Sequence, residues 1–243
     1  MTVSAPRIGC SGWLYKHWRG DFYPTGLRQK DELDFYTRQF DTAEINASFY
    51  RMPGETASAS WRERTPDGFV FAWKAWRYIT HVKRLKDPAE PVAFMFSRAT
   101  GLGSKLGPLL YQLPPGMKMD RERLAGFLDA LPTGFRHAFE FRHPSWYEPA
   151  IFDLLREHDA ALVLSDHHHA PAPWEATASW VYVRGHGPGG RYWGDYPDDE
   201  LARWAACIGG WRAESRTVFC YFDNDIGGAA PRDAIRLRSL LNS

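Results

Sequence analysis

What most constrains this chain is a recurring pattern: eight short apolar segments, each bounded by turn residues, alternate with stretches of helical character. They are RIGC (7–10), TAEIN (42–46), FVFAWKA (69–75), GPLLYQL (107–113), HAFEFR (137–142), AALVLSD (160–166), WVYVRG (180–185) and TVFCYFDN (217–224). Helices are predicted over 31–40, 55–65, 88–100, 120–131, 146–158, 198–212 and 230–242, with Asp120 placed to cap the fourth. The connection 167–179 contains Pro171 and Pro173 and shows no helical period. Strands that alternate with helices about every 25 to 35 residues imply βαβ units and a parallel sheet. Eight such repeats in 243 residues predict an α/β fold of the (β/α)8 TIM-barrel type. The competing fold, an open doubly wound sheet, normally carries a GxGxxG first turn, and none is present. No Pro/Ser-rich linker divides the chain, so one domain over 1–243 is expected.

Composition narrows the function classes. Lys+Arg 30 against Asp+Glu 29 gives a net charge of +1 without long like-charge runs, so no polyanionic partner is required. No apolar run approaches a membrane span, and MTVSAPRIG lacks the basic and apolar regions of a signal peptide; a cytoplasmic protein with no membrane partner is expected. Cys10, Cys207 and Cys220 are odd in number and lack CxxC spacing, which argues against a disulfide framework or a structural zinc site. Cys10 reads as a small buried thiol.

In a parallel barrel, alternate residues of each strand face the axis, and the C-terminal strand ends build the active site. Parity places Glu44 with Asn46, Lys74 with Ala72 and Val70, Gln112 with Leu110, Glu140 with Arg142, and Tyr182 with Arg184 and His186. Strand six ends at Asp166; at the end of strand eight, parity does not choose between Asp223 and Asn224. Segments 42–46, 69–75 and 137–142 are expected to be parallel neighbours in one closed sheet, with Glu44, Lys74 and Glu140 aimed at its axis.

Each of these side chains has a structural reading beside the functional one. Glu140 with Arg142 fits either an ion pair filling the barrel mouth or a catalytic role. Lys74 is either paired to Glu44 or Glu140, or recruited for an anion or a Schiff base. His186 and Arg184 adjoin the glycine-rich GHGPGG (185–190), where barrels often bind phosphate, although loop glycines commonly serve turns. The HHH run at 167–169 is weak evidence for metal, because adjacent residues of an extended chain point different ways. Paired carboxylates for glycoside hydrolysis are disfavoured, since strands four and seven offer Gln112 and Arg184 instead of acids. The loop GCSGWLYKHWRGDFYPTGL (9–27) carries Trp13, Tyr15, Trp18, Phe22 and Tyr23 without a helical period. Those rings either stack on a flat ligand or form a small core joining the loop to the barrel.

The stretches IGCSGWLYKHWRGDFYPTGL, FDTAEINASFYRMP, PDGFVFAWKAWRYITH, LGPLLYQLPP, FEFRHPSW and YFDNDIGGAAPRDAIRL, in that order, resemble the YecE-like family, domain of unknown function seventy-two. The resemblance spans essentially the whole chain. It implies a (β/α)8 barrel and supplies no reaction. Its motif positions include Trp13, Tyr15, Trp18, Glu44, Asn46, Lys74, Gln112, Glu140, Arg142, Arg184 and Asn224. The family's YVRLHG pattern reads YVRGHG here, with Gly185 in place of a bulkier residue.

Two functions follow as expectations. The first is an enzyme of hydrolase or lyase type, without cofactor or metal, that holds a small anionic ligand through Lys74, Arg142 and Arg184, with Glu140 or Glu44 as acid/base. In that reading Trp13, Tyr15, Trp18, Asn46, Gln112, His186 and Asn224 complete the binding site, and three cations outnumber two carboxylates. The second is a non-catalytic module for nucleic acid or a small molecule, built on the aromatic loop.

Overall fold

In the computed structural model, which describes residues 5–242, the eight segments form parallel strands of one sheet. They are β1 (Arg7–Cys10), β2 (Thr42–Ile45), β3 (Val70–Lys74), β4 (Leu106–Gln112), β5 (His137–Glu140), β6 (Ala161–Ser165), β7 (Trp180–Gly185) and β8 (Thr217–Phe222). Hydrogen-bonded neighbours run β1-β8-β7-β6-β5-β4-β3-β2, which is chain order around a ring. One parallel bridge between Ser11 and Glu44 links β1 to β2, with Gly12 N donating to Glu44 O at 2.8 Å. The sheet is therefore the nearly closed barrel that the spacing predicts. The order corrects one expectation: 42–46 and 69–75 are neighbours, but 137–142 is not adjacent to them, because β4 pairs with both β3 and β5 and separates Lys74 from Glu140 by one strand.

The helices are α1 (Glu32–Tyr36), α2 (Ala47–Tyr50), α3 (Ala57–Glu63), α4 (Ala89–Ala99), α5 (Arg121–Asp129), α6 (Pro149–Glu157), α7 (Asp198–Ala213) and α8 (Ala229–Asn242). Asp120 caps α5 as predicted, accepting from Arg123 N at 3.0 Å. α1 is shorter than the predicted 31–40, and past its end Thr37 Oγ1 donates back to Asp34 O at 3.0 Å, a local bond that competes with helix propagation. α2 is a single turn that the apolar period does not announce, and it carries Phe49 and Tyr50 to the barrel mouth. The chain from β6 to β7 has no helix. Thr177 clamps it instead, accepting from Leu162 N at 2.7 Å and donating to Ala160 O at 2.8 Å.

Strand parity divides the core in two. Ile45, Phe71, Trp73, Phe139 and Phe141 belong to the large apolar layer between sheet and helices. Ala72, Leu110, Ala138, Ala161, Val163, Trp180, Tyr182, Phe219 and Tyr221 form a separate cluster inside the barrel. Small residues from β3, β5 and β6 leave room that the aromatic residues of β7 and β8 fill, as close packing of a barrel interior demands. Tyr182 reaches from β7 to Glu44 on β2, its hydroxyl donating to Oε2 at 2.7 Å.

Candidate active site

Above this packed interior the inward strand ends assemble a buried ionic network centred on Arg184. Its guanidinium donates to Glu44 at 2.8 and 3.0 Å, to Glu140 at 2.8 Å, to Asp223 at 2.8 Å and to Ser11 Oγ at 3.2 Å. Arg142 pairs with Glu140 and donates to the Tyr192 hydroxyl at 3.1 Å. Glu44, Glu140, Arg184 and His186 are fully buried, and Arg142 is nearly so. Burial alone would raise the Glu140 carboxyl, but Arg142 and Arg184 outweigh it and hold it at about 2. Glu44 is likewise lowered, burial being overcome by Arg184 and then Lys74.

His186 Nε2 faces two guanidiniums, Arg142 at 3.0 Å and Arg184 at 3.1 Å, neither of which can accept a proton. Nε2 is therefore the acceptor, and Nδ1–H is left to point at Asp166 Oδ1, 3.1 Å away. Burial and the same two arginines push the imidazole pKa far down, which keeps it neutral. Asp166 also accepts from His186 N at 2.7 Å and from the Tyr196 hydroxyl, yet burial raises it to about 6. It follows Ser165, and since Ala161 and Val163 face the axis, Asp166 is on the helix side of β6; Ser165 holds the inward position.

A cavity of about 870 Å³ opens at the mouth. Lys74, Asn46, Gln112, Asp223, Asp225, Arg77 and His81 supply its polar lining, and Trp13, Tyr15, Phe49, Tyr50 and Trp61 its aromatic walls. Of the sequence-derived residues, Lys74, Asn46, Gln112, Trp13 and Tyr15 line it. Glu44, Glu140, Arg142, Arg184 and His186 do not; they form the buried network described above. Trp18 is fully buried, donates its indole N–H to Asp225 O at 2.9 Å and packs with Phe22 and Tyr23, so this part of the first loop is a small core. Asn224 is also buried, bonded to Gly194 O and Asp233 at 2.8 Å each.

At the end of β8 it is Asp223 that continues the inward face of Phe219 and Tyr221. This third carboxylate changes the charge balance: Lys74, Arg142 and Arg184 meet Glu44, Glu140 and Asp223, three against three, so the expected excess of cations is absent. Lys74 differs from the two arginines in having no hydrogen bond or ion pair at Nζ among the described residues. Its ammonium lies over the Phe49 ring, 4.6 Å from the centroid. Burial and then Arg184 lower its pKa to about 8 despite the nearby Asp223, Glu44 and Glu140. Elsewhere on the cavity lining, burial and Asp223 raise Asp225 to about 6, while burial and Lys74 lower His81 to about 4.

The three histidines at 167–169 occupy a turn, not an extended strand, which gathers their rings to centroid distances of 4.2–5.2 Å. Among the described residues no group of three or more His, Cys, Asp or Glu is placed to hold a metal ion. Burial holds the Cys10 thiol well above its ordinary value, the opposite of what a thiolate nucleophile needs. No helix of the described residues is long and apolar enough to cross a membrane.

Residues 7–243 match the family described as "Protein of unknown function DUF72". The chain is 26% identical over 275 residues to the UPF0759 protein YunF of Bacillus subtilis, covering 97% of this chain and 94% of that one. It is 30% identical over 141 residues to the UPF0759 protein YecE of Escherichia coli K12, covering 58% of this chain and 49% of that protein. The crystal structure of a DUF72 family protein from Thermotoga maritima superposes with a TM-score of 0.90 at 25% identity, over 99% of this chain and 100% of that one.

Proposed function

The chain belongs to the DUF72 family, and from that premise we propose that its barrel mouth is an active site of hydrolase or lyase type for a small anionic molecule, with Lys74 as the group that meets the substrate. The observation that carries this reading is the contrast between the ion-paired arginines and Lys74 at the cavity wall, which among the described residues has no hydrogen-bond or ion-pair partner at Nζ. Lys74 and Arg77 supply positive charge to an acidic group, and Asn46 and Gln112 supply neutral hydrogen bonds. Tyr15 and Phe49 shield the contact from water, where electrostatic interactions strengthen. Asp225, raised to about 6, is suited to exchange protons near neutral pH. Arg184, Asp223, Glu44 and Glu140 act as positioning residues that set the charge of Lys74, and Arg142 holds Glu140 in place. Packing of Trp18, Phe22 and Tyr23 against one another favours this small-molecule site over a surface that stacks on nucleic-acid bases.

Thermal unfolding tests the reading. Phosphate, sulfate or phenyllactate at millimolar levels is expected to raise the melting temperature of wild type through preferential binding to the folded state. Lys74→Met and Arg77→Ala lose most of the increment, while the exposed control Arg203→Ala keeps it. Equal responses from all four proteins would mean a general salt effect and would remove the site.

A further inference from the structure

Among the described residues two lysines are buried, and their surroundings are opposite. Lys105, 8% exposed, is solvated by the protein: Nζ donates to Arg62 O at 2.7 Å, Thr65 O at 2.5 Å and Thr65 Oγ1 at 3.2 Å. That is the full complement of three acceptors an ammonium needs, as expected of a structural lysine. Lys74, 5% exposed, has no such acceptor among the described residues; an aromatic face lies beneath it and a cavity opens beside it. Its backbone is fixed, since Lys74 O accepts from Ser48 Oγ at 2.6 Å and β3 is paired on both sides. A buried amine on a fixed backbone, without acceptors among the described residues and next to the Arg184 cation, is placed to shed its proton and act as a nucleophile.

We propose, resting on the active-site reading above, that Lys74 forms a Schiff base with a carbonyl substrate whose body is apolar or aromatic and which also carries an acidic group, the chemistry of an aryl 2-oxo acid. The neutral amine attacks the carbonyl carbon to give a carbinolamine. Its two N–H hydrogens leave with the carbonyl oxygen as water, and a C=N bond remains. Asp225 and the Tyr192 hydroxyl, both on the cavity wall, are the groups available to relay those protons. Arg77 takes the acidic group, and Trp13, Phe49 and Trp61 take the ring. Protonated, the imine is an electron sink that favours loss of a group from the adjacent carbon, which is lyase chemistry and needs no redox partner. The lowered pKa of Lys74, about 8, leaves a useful fraction of free amine near neutral pH.

Phenylpyruvate with sodium cyanoborohydride tests this, because hydride delivered to the imine carbon freezes the adduct as a secondary amine. Peptide mapping is expected to find the adduct on Lys74 at least about tenfold faster than on any of the other six lysines, with Lys105 as the buried control. Labelling saturates with phenylpyruvate, is blocked by phenyllactate, which has a hydroxyl in place of the ketone, and disappears in Lys74→Arg. Adduct spread evenly over the exposed lysines, or none on Lys74, overturns the Schiff base. If phenyllactate still raises the melting temperature in a Lys74-dependent way while no adduct forms, the anion site stands and the carbonyl assignment falls. Absence of both responses removes both readings, and adduct on Lys74 without any anion response overturns the anion site and the acidic group while the Schiff base stands.

Discussion

Arg184 has no exposed surface and faces Glu44, Glu140 and Asp223 together, so its charge is committed to the protein before any ligand arrives. Removing it would leave three buried carboxylates without their common partner, and uncompensated buried charge costs several kcal/mol. Arg184→Met is expected to lose about 3–5 kcal/mol in urea unfolding, and more than Arg142→Met, because Arg142 pairs with Glu140 alone. A loss below about 1 kcal/mol would mean that the network is solvated and that Arg184 is free to bind ligand. Period-two parity made Glu44, Lys74, Glu140 and Arg184 legible in the sequence, since one polar residue stands out between apolar neighbours. It failed at the end of β8 because both faces of TVFCYF are apolar or aromatic, as strands buried on both sides are, and nothing distinguished Asp223 from Asn224. Nor does parity say which inward charges satisfy one another. That depends on distances across the ring, which is why, among the described residues, Lys74 is the inward strand cation without a carboxylate within ion-pair distance while Arg142 and Arg184 pair with carboxylates.

Between strand and loop, Gly185 closes β7 in a crowded position. A Cβ there would come within 2.8 Å of Trp204 Cη2, 2.9 Å of the Tyr196 hydroxyl and 3.1 Å of Phe222 Cδ1. The absent side chain makes room for Trp204 from α7, whose ring stacks on Phe222 at 5.6 Å and 18°. Gly185→Ala is thus expected to destabilise by about 1–3 kcal/mol, the usual range for overpacking. Trp204→Phe in the same chain should recover part of that loss in a double-mutant cycle; additive losses would show that the two positions are not competing for one space. The helices α4 to α8 follow the sequence pattern closely because they are long enough for several turns of amphipathic period and, in α5, begin at a capping residue. α2 was invisible because four residues offer no period to read, and it is the element that brings Phe49 beneath the Lys74 ammonium. The first loop mixes two tasks within a few residues: Trp18 and Tyr23 are core, whereas Tyr15 lines the cavity with its hydroxyl tied to Ser11 O at 2.6 Å.

For the molecule as a whole, the eightfold alternation of strand and helix carried the architecture, because only a barrel or a doubly wound sheet accommodates so many parallel crossovers and the glycine signature of the second was missing. A net charge of +1 conceals how unevenly the charges are used, with three cations and three carboxylates concentrated at one end of the barrel. That concentration has a measurable consequence for global stability through Lys74. Its folded pKa, about 8, lies below its ordinary 10.5, so between those values the unfolded chain binds a proton that the folded protein does not. Stability must then rise with pH across this interval, and the contribution is lost again as pH falls toward 8. Near neutral pH the folded protein bears the full cost of holding a desolvated ammonium. At about 1.4 kcal/mol per pKa unit, the gain between about pH 7.5 and 9.5 is about 2 kcal/mol. Buried tyrosines such as Tyr111 and Tyr221, whose pKa values are raised by burial, drive stability the other way as the unfolded chain ionises, so wild type alone does not isolate the effect. The difference between wild type and Lys74→Met does, because the tyrosines cancel. Urea unfolding at the two pH values should show wild type gaining on the variant by that amount as the solution becomes alkaline. A constant difference would mean that Lys74 keeps an ordinary pKa in the folded protein, and with it would go the argument that this amine is held ready to lose its proton.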